Sequence, residues 1–340
     1  MILALILLIL VWWLPVNGAP VHEQRPQSQL LKFIAVLIVV LGHETLFYCD
    51  APQIVVAETN YGNLCVAFFL FMSGYGLLYG YHKKGRMDLS YSWLGKRLLK
   101  LIVPAMTAMA LYLTVKVCSG RTVDWGGVVK YWFVSNGNLI YGWYVSEIIC
   151  LYVAFFLCYR WVCSKYALAI LTGTIGIAML VMIILKQPVW YIQGLPCFVL
   201  GLFLANYDFV RKSDKVSGSW HLRMLMTLTV IGFFILKHFE MVQQMIPVLN
   251  KWRYMYVSFF VGTPLFIVII AYILMRLPVC KRMLNRGGFY EVYLVQGAAL
   301  LVCRDLITQD ILFIPVGLII TVLVAKGMNK INGRRIKVLS

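Results

Sequence analysis

The sequence predicts an all-α, polytopic transmembrane bundle of about ten spans, and three observations predict it. Apolar types make up 61% of the 340 residues, against the roughly 45–50% usual in soluble domains. Charged residues are only 13%, about half the soluble norm. The apolar residues also gather into runs that suit helical crossings of a lipid core and are too long for barrel strands. Open strands are excluded there because lipid leaves their edges unbonded.

The elements follow in chain order. Residues 1–16 are apolar and uncharged, with Trp12 and Trp13 near the end of the run. At 1.5 Å per residue the run covers about 24 Å, short for a crossing. It lacks the basic start of a signal peptide, although Val16-Asn17-Gly18-Ala19 has the small residues of a cleavage site. An eleventh, short span and an interfacial helix are the two readings. Residues 17–29, with Pro20 and Pro26, read as a linker. Spans are then predicted at residues 30–49, 62–82, 101–119, 142–160, 167–186, 189–207, 222–237, 254–275, 287–303 and 310–326. No long soluble stretch interrupts this domain over 30–326, and residues 327–340 form a basic tail.

Charge orients the bundle. Arg25, Lys32 and one set of loops with the tail hold 23 of the 31 Lys and Arg, and the alternate loops hold 8. The positive-inside bias makes the richer set cytoplasmic, and the localisation is a multi-pass cell-membrane protein. A net charge of +18 invites a nucleic-acid reading. The cations fall between apolar spans, so nucleic acid is set aside and membrane lipid and anionic cofactors are the expected partners. The nine cysteines contain no Cys-x-x-Cys pair, and no His-rich cluster has metal-ligand spacing, so no metal is expected. Nothing in the sequence speaks to oligomeric state.

Chemistry-bearing residues stand out against this apolar ground. Lys32 and His43 lie eleven residues apart, close to three helical turns, on one face and roughly 16 Å apart along the axis. That is about half the hydrocarbon thickness, so Lys32 falls near the cytoplasmic face and His43 in the outer half. A histidine at that depth reads either as a functional group or as a helix-packing residue. Lys32 has a further reading, a snorkelling anchor. Glu44 lies about 100° round the helix and does not share the His43 wall. Glu147 and Glu291 also fall within spans, where a carboxylate pairs with a cation or lines a polar cavity. Arg97 and Lys100 are three apart and share a helix face at the membrane edge. Ser73-Gly74 reads as close helix packing, with a serine nucleophile, for which the sequence shows no partner base, as the alternative. Trp125, Trp132, Trp143, Trp190 and Tyr191 read as an interfacial belt, with sugar stacking as the alternative for such rings.

The order of these features resembles a known family. Lys32-x10-His43 resembles the Arg/Lys-x10-His signature of the acyltransferase 3 family of integral membrane acyltransferases. Phe68-Phe69-Leu70-Phe71-Met72-Ser73-Gly74-Tyr75 is similar to its Phe-Phe-x-x-Ser-Gly run, and Lys96-Arg97-Leu98-Leu99-Lys100 before Pro104 to its Arg-x-x-Arg segment. Trp143-Tyr144-Val145-Ser146 resembles its Trp-x-x-Ser element, and Pro196-Cys197-Phe198-Val199-Leu200-Gly201 its Pro-x-Phe-x-x-Gly helix. The stretch from Gly288 to Gln296 resembles its Gly-x-x-Ser-Tyr-x-x-Tyr-Leu-x-His element, with Phe289 for Ser and Gln296 for His. Lys100 stands where Arg is usual, a point charge in place of a planar fork. The resemblance covers about residues 28–326.

The resemblance implies an O-acyltransferase for the cell envelope. It would take an acetyl group from cytoplasmic acetyl-CoA, a co-substrate, to a hydroxyl of a cell-surface or lipid-linked glycan. His43 would be general base toward the acceptor, with transient acylation of its ring as a second option. Glu147 would orient or charge-stabilise it, or bind sugar hydroxyls. Lys32, Arg97 and Lys100 would contact the donor, and Trp143, Glu291 and Tyr293 the acceptor. The helical unit would act alone or with a separate protein that completes transfer. A transporter or flippase for a small solute or lipid-linked sugar is the alternative, since intramembrane His and Glu suit proton relays. Against it, the spans show no two-fold repeat.

Overall fold

The computed structural model describes residues 2–15, 17–18, 21–44, 62–84, 89–126, 142–211, 216–217, 220–237, 258–277, 288–307 and 310–339. Among them are eleven helices: α1 Ile2–Trp13, α2 Arg25–Glu44, α3 Gly62–Lys83, α4 Tyr91–Cys118, α5 Trp143–Trp161, α6 Ser164–Ile184, α7 Leu195–Arg211, α8 Trp220–Lys237, α9 Thr263–Arg276, α10 Phe289–Leu306 and α11 Asp310–Leu339. The only other pairing among the described residues is a two-residue antiparallel contact of Asn17 with Ser217 and Gly18 with Val216. Seven helices are long and apolar enough to cross a membrane. The protein is therefore an all-α membrane bundle. Arg86, Lys130, Trp132, Lys212, Lys215, Lys251, Arg253, Lys281, Arg282 and Arg286, together with residues 45–49, 254–257 and 287 of three predicted spans, lie outside the described residues.

Helix ends depart from the hydropathy pattern in an instructive way. α2 starts at Arg25 rather than near residue 30. Pro26 sits in its first turn, where a missing N–H has no helical partner to lose. α4 starts at Tyr91 rather than near residue 101, so the basic segment is helical. Ser90 caps it by accepting from the Trp93 N–H at 3.2 Å. The helix runs through buried Pro104. Proline disturbs the carbonyls one turn back, and there the Tyr290 hydroxyl donates to the Leu101 carbonyl at 3.0 Å. α11 continues through the predicted tail to Leu339.

The chain divides into two compact units. One comprises Met1–Lys32, Val66–Met87 and Ile175–Asn285. In it α1 packs on α8 and α9, and α9 packs on α8 and α7. Leu7 and Val11 face inward while Leu5, Ile6, Ile9 and Trp13 are exposed, as suits a helix with lipid on its outer side. Two glycines let α3 and α7 touch backbone to backbone. A Cβ on Gly74 would lie 2.3 Å from the Phe198 carbonyl oxygen, and one on Gly201 would lie 2.1 Å from that of Phe71. This is the small-residue crossing that the Ser73-Gly74 pair suggests.

The other unit comprises Phe33–Cys65, Asp88–Thr174 and Arg286–Ser340. Its centre is α10, which packs on α11 and α4, while α4 packs on α5 and α11. Every residue from Glu291 to Leu300 is buried, which explains how α10 carries polar groups without meeting lipid. Gly288 opens it at φ +122°, where a side chain would be strained and would crowd Asn329. Leu300, Cys303 and Phe313 close its far end as an apolar cluster.

Candidate functional site

The second unit gathers most of the polar groups singled out in the sequence. His43 lies in the last turn of α2, half-buried. Its Nδ1 is 3.0 Å from Oε1 of Gln296 on α10. An amide oxygen only accepts, so Nδ1 carries the hydrogen and Nε2 is the basic nitrogen. Gln296 is fully buried, and its Nε2 has no hydrogen-bond partner. The amide is thus held by packing in α10 and spends its oxygen on the imidazole.

Glu44 diverges from His43, as the helical angle requires. Its side chain turns to α11, where a Cβ on Gly317 would lie 2.9 Å from Oε1. It is fully buried, and neither oxygen has a hydrogen-bond partner.

Tyr293 and Gln296 are three apart on α10 and share a face. Tyr293 is buried and meets the Tyr144 ring edge-on, with centroids 5.5 Å apart. It also interacts electrostatically with Tyr290, Glu147 and Tyr112. Tyr112 fits there because Gly297 has no side chain, since a Cβ would collide with its hydroxyl. Both Glu147 oxygens are buried without a hydrogen-bond partner. Glu147 therefore makes no hydrogen bond to His43, and the orienting contact comes from Gln296. The structure brings Glu147 and Tyr293 together and joins His43 to Gln296. Tyr144, Tyr293 and Glu147 belong to a buried polar cluster in which every group can donate or accept.

The remaining candidates are placed as follows. Trp143 is half-buried, its ring edge-on to Tyr144 with centroids 6.5 Å apart. Glu291 lies in the first turn of α10 and is 8% exposed, a position that the helix dipole favours. Arg97 lays its guanidinium over the Trp93 ring at 5.4 Å, and Lys100, one turn on, is exposed. Lys32 is half-buried and belongs to the other unit. Gln296 is the residue that sequence reasoning misses. Its signal is its place at the end of the Gly288 stretch, where the resembling family carries a histidine. No group of three or more His, Cys, Asp or Glu suited to a metal occurs among the described residues.

A family model described as an acyltransferase domain matches residues 26–326. No curated protein and no solved structure matches the chain.

Proposed function

The chain belongs to the acyltransferase 3 family, and from that premise we propose that it moves an acetyl group from acetyl-CoA to a hydroxyl of a cell-surface or lipid-linked glycan in the cell envelope, with His43 as general base. The coarser statement stands on membership and on the apolar helices: this is a membrane acyltransferase.

The observation that carries the finer reading is the 3.0 Å contact between His43 Nδ1 and Gln296 Oε1. With Nδ1 donating to Gln296, Nε2 is the nitrogen that takes the acceptor proton as the acceptor oxygen bonds to the acyl carbon. The thioester C–S bond breaks, and the departing thiolate takes the proton back from the imidazolium. Glu147, Tyr293, Trp143 and Glu291 are the acceptor side of this reading. Arg97 and Lys100 are its donor side in this unit. The Arg97 ring contact leaves the in-plane N–H groups for phosphate.

Gln296 is a positioning residue here, and its substitution separates that role from packing. Gln296→Leu lowers kcat about 10- to 100-fold with KM for acetyl-CoA unchanged, because a misoriented base gives up part of the 10²–10⁴ that general base catalysis supplies. Gln296→Glu, which still accepts from Nδ1, restores much of the rate. Equal kcat in Gln296→Leu and wild type removes Gln296 from the mechanism. Glu147→Gln, which keeps shape and puts an amide in place of the carboxyl, raises KM for the acceptor several-fold, and an unchanged acceptor KM removes Glu147 from that side. Incorporation of labelled acetyl into surface glycan tests the reading in cells. Solute uptake by proteoliposomes without an acyl donor would instead favour a transporter.

A further inference from the structure

The first unit contains a cationic site that the acyl-transfer reading does not use. Arg276 ends α9 and is 1% exposed. Its Cζ lies 3.8 Å from the centroid of the Tyr272 ring, so the ring covers one face of the guanidinium. The in-plane nitrogens Nε, Nη1 and Nη2 are all buried and have no hydrogen-bond partner. A second guanidinium, Arg223 on α8, is close enough to interact electrostatically with it. Arg223 donates to the carbonyls of Trp12 at 3.1 Å and Leu14 at 2.8 Å, which fixes it at the end of α1. Its Nε is likewise buried and unpartnered. Gln24, 1% exposed, donates to the Leu277 carbonyl at 2.9 Å and holds the end of α9 in place. Its Oε1 is left without a partner. The ion pairs found among the described residues, His22–Glu23 and Arg121–Asp305, involve neither guanidinium.

Two like charges, one on a fully buried guanidinium, beside a row of buried unused donors are unfavourable when nothing negative accompanies them. A planar fork with its face covered and its edge unbonded is built for an in-plane anion. Two guanidiniums favour a phosphate, whose non-bridging oxygens can accept from both of them at once.

We propose that Arg276, with Arg223 beside it, binds a phosphate-bearing ligand at the end of α9. The phosphate oxygens accept from the Arg276 edge and from Arg223 Nε. The phosphate belongs either to an anionic lipid headgroup or to a soluble nucleotide-type molecule. This site stands whether or not His43 is the base.

The test uses the purified full-length chain in nonionic detergent with two probes, tritiated coenzyme A and phosphatidylglycerol in mixed micelles. Wild type binds at least one probe saturably and gains thermal stability with it. Arg276→Gln weakens that probe at least about tenfold, and Arg276→Lys weakens it several-fold, because an ammonium replaces charge without the fork. A loss for phosphatidylglycerol identifies a lipid site, and a loss for coenzyme A a soluble ligand. Binding of both probes by Arg276→Gln within twofold of wild type overturns the proposal, as does a wild type that binds neither. Should Arg276→Gln fail to fold, Arg276→Lys decides, and wild-type affinity in that variant overturns it. His43→Ala keeps full probe affinity, so failure of this site and failure of the acyl-transfer reading give different results.

Discussion

His43→Ala lowers acetyl transfer at least about a hundredfold at normal protein abundance, the low end of what a positioned base supplies. The loss is in kcat, since the imidazole acts on the proton that leaves in the transition state and contributes little to holding either substrate. Removing the ring leaves Gln296 Oε1 buried without its partner, which costs about 1–3 kcal/mol of stability. His43→Ala with Gln296→Leu removes both polar groups and recovers part of that stability without recovering activity. A helix-packing histidine behaves otherwise, with activity following stability through the pair. Retention of more than a third of wild-type transfer in His43→Ala excludes His43 as the base.

Gly201→Ala has the largest expected effect on stability. The added methyl group would lie 2.1 Å from the Phe71 carbonyl oxygen and 2.8 Å from the Tyr75 nitrogen. Both are backbone atoms of a helix, so no rotamer change relieves the contact and α3 must move from α7. Overpacking of this kind costs about 1–3 kcal/mol, and rigid backbone neighbours push toward the upper end. Gly74→Ala meets the Phe198 carbonyl in the same way. Gly76 is the control. It lies on the same helix, is exposed, and has nothing within 4 Å of a Cβ. Gly76→Ala is neutral or slightly stabilising, because alanine is the better helix former. Thermal unfolding in detergent reads the difference, and equal midpoints for Gly201→Ala and Gly76→Ala refute the close crossing.

Hydropathy alone locates the helices among the described residues, because a lipid-spanning segment has to be apolar along its length. Helix ends are less legible. The turns at Tyr91–Lys100 are polar, and a hydropathy window stops where the membrane does while the backbone hydrogen bonds continue. Pro26 reads as part of a linker, yet it occupies a harmless first turn of α2, and Pro104 is absorbed inside α4.

The site is legible in its chemistry and not in its pairings. His43, Glu147 and Tyr293 stand out because polar groups are rare at membrane depth. The partner of His43 lies 253 residues away, and no periodicity links such positions. Glu44 sits beside His43 in sequence and turns to a different helix, which the 100° step does predict. Arg276 is hidden for another reason. A cation at a helix end looks like ordinary loop charge until burial and the absence of a partner are seen together.

The most direct test of the central claim uses the purified chain in proteoliposomes with acetyl-CoA labelled in its acetyl group and a membrane-glycan extract as acceptor. The account predicts that label appears on the glycan as an alkali-labile ester, in step with release of free coenzyme A thiol, and that His43→Ala and Gln296→Leu slow both together. Label that stays with coenzyme A in the wild type, or ester formation at the wild-type rate in His43→Ala, contradicts it.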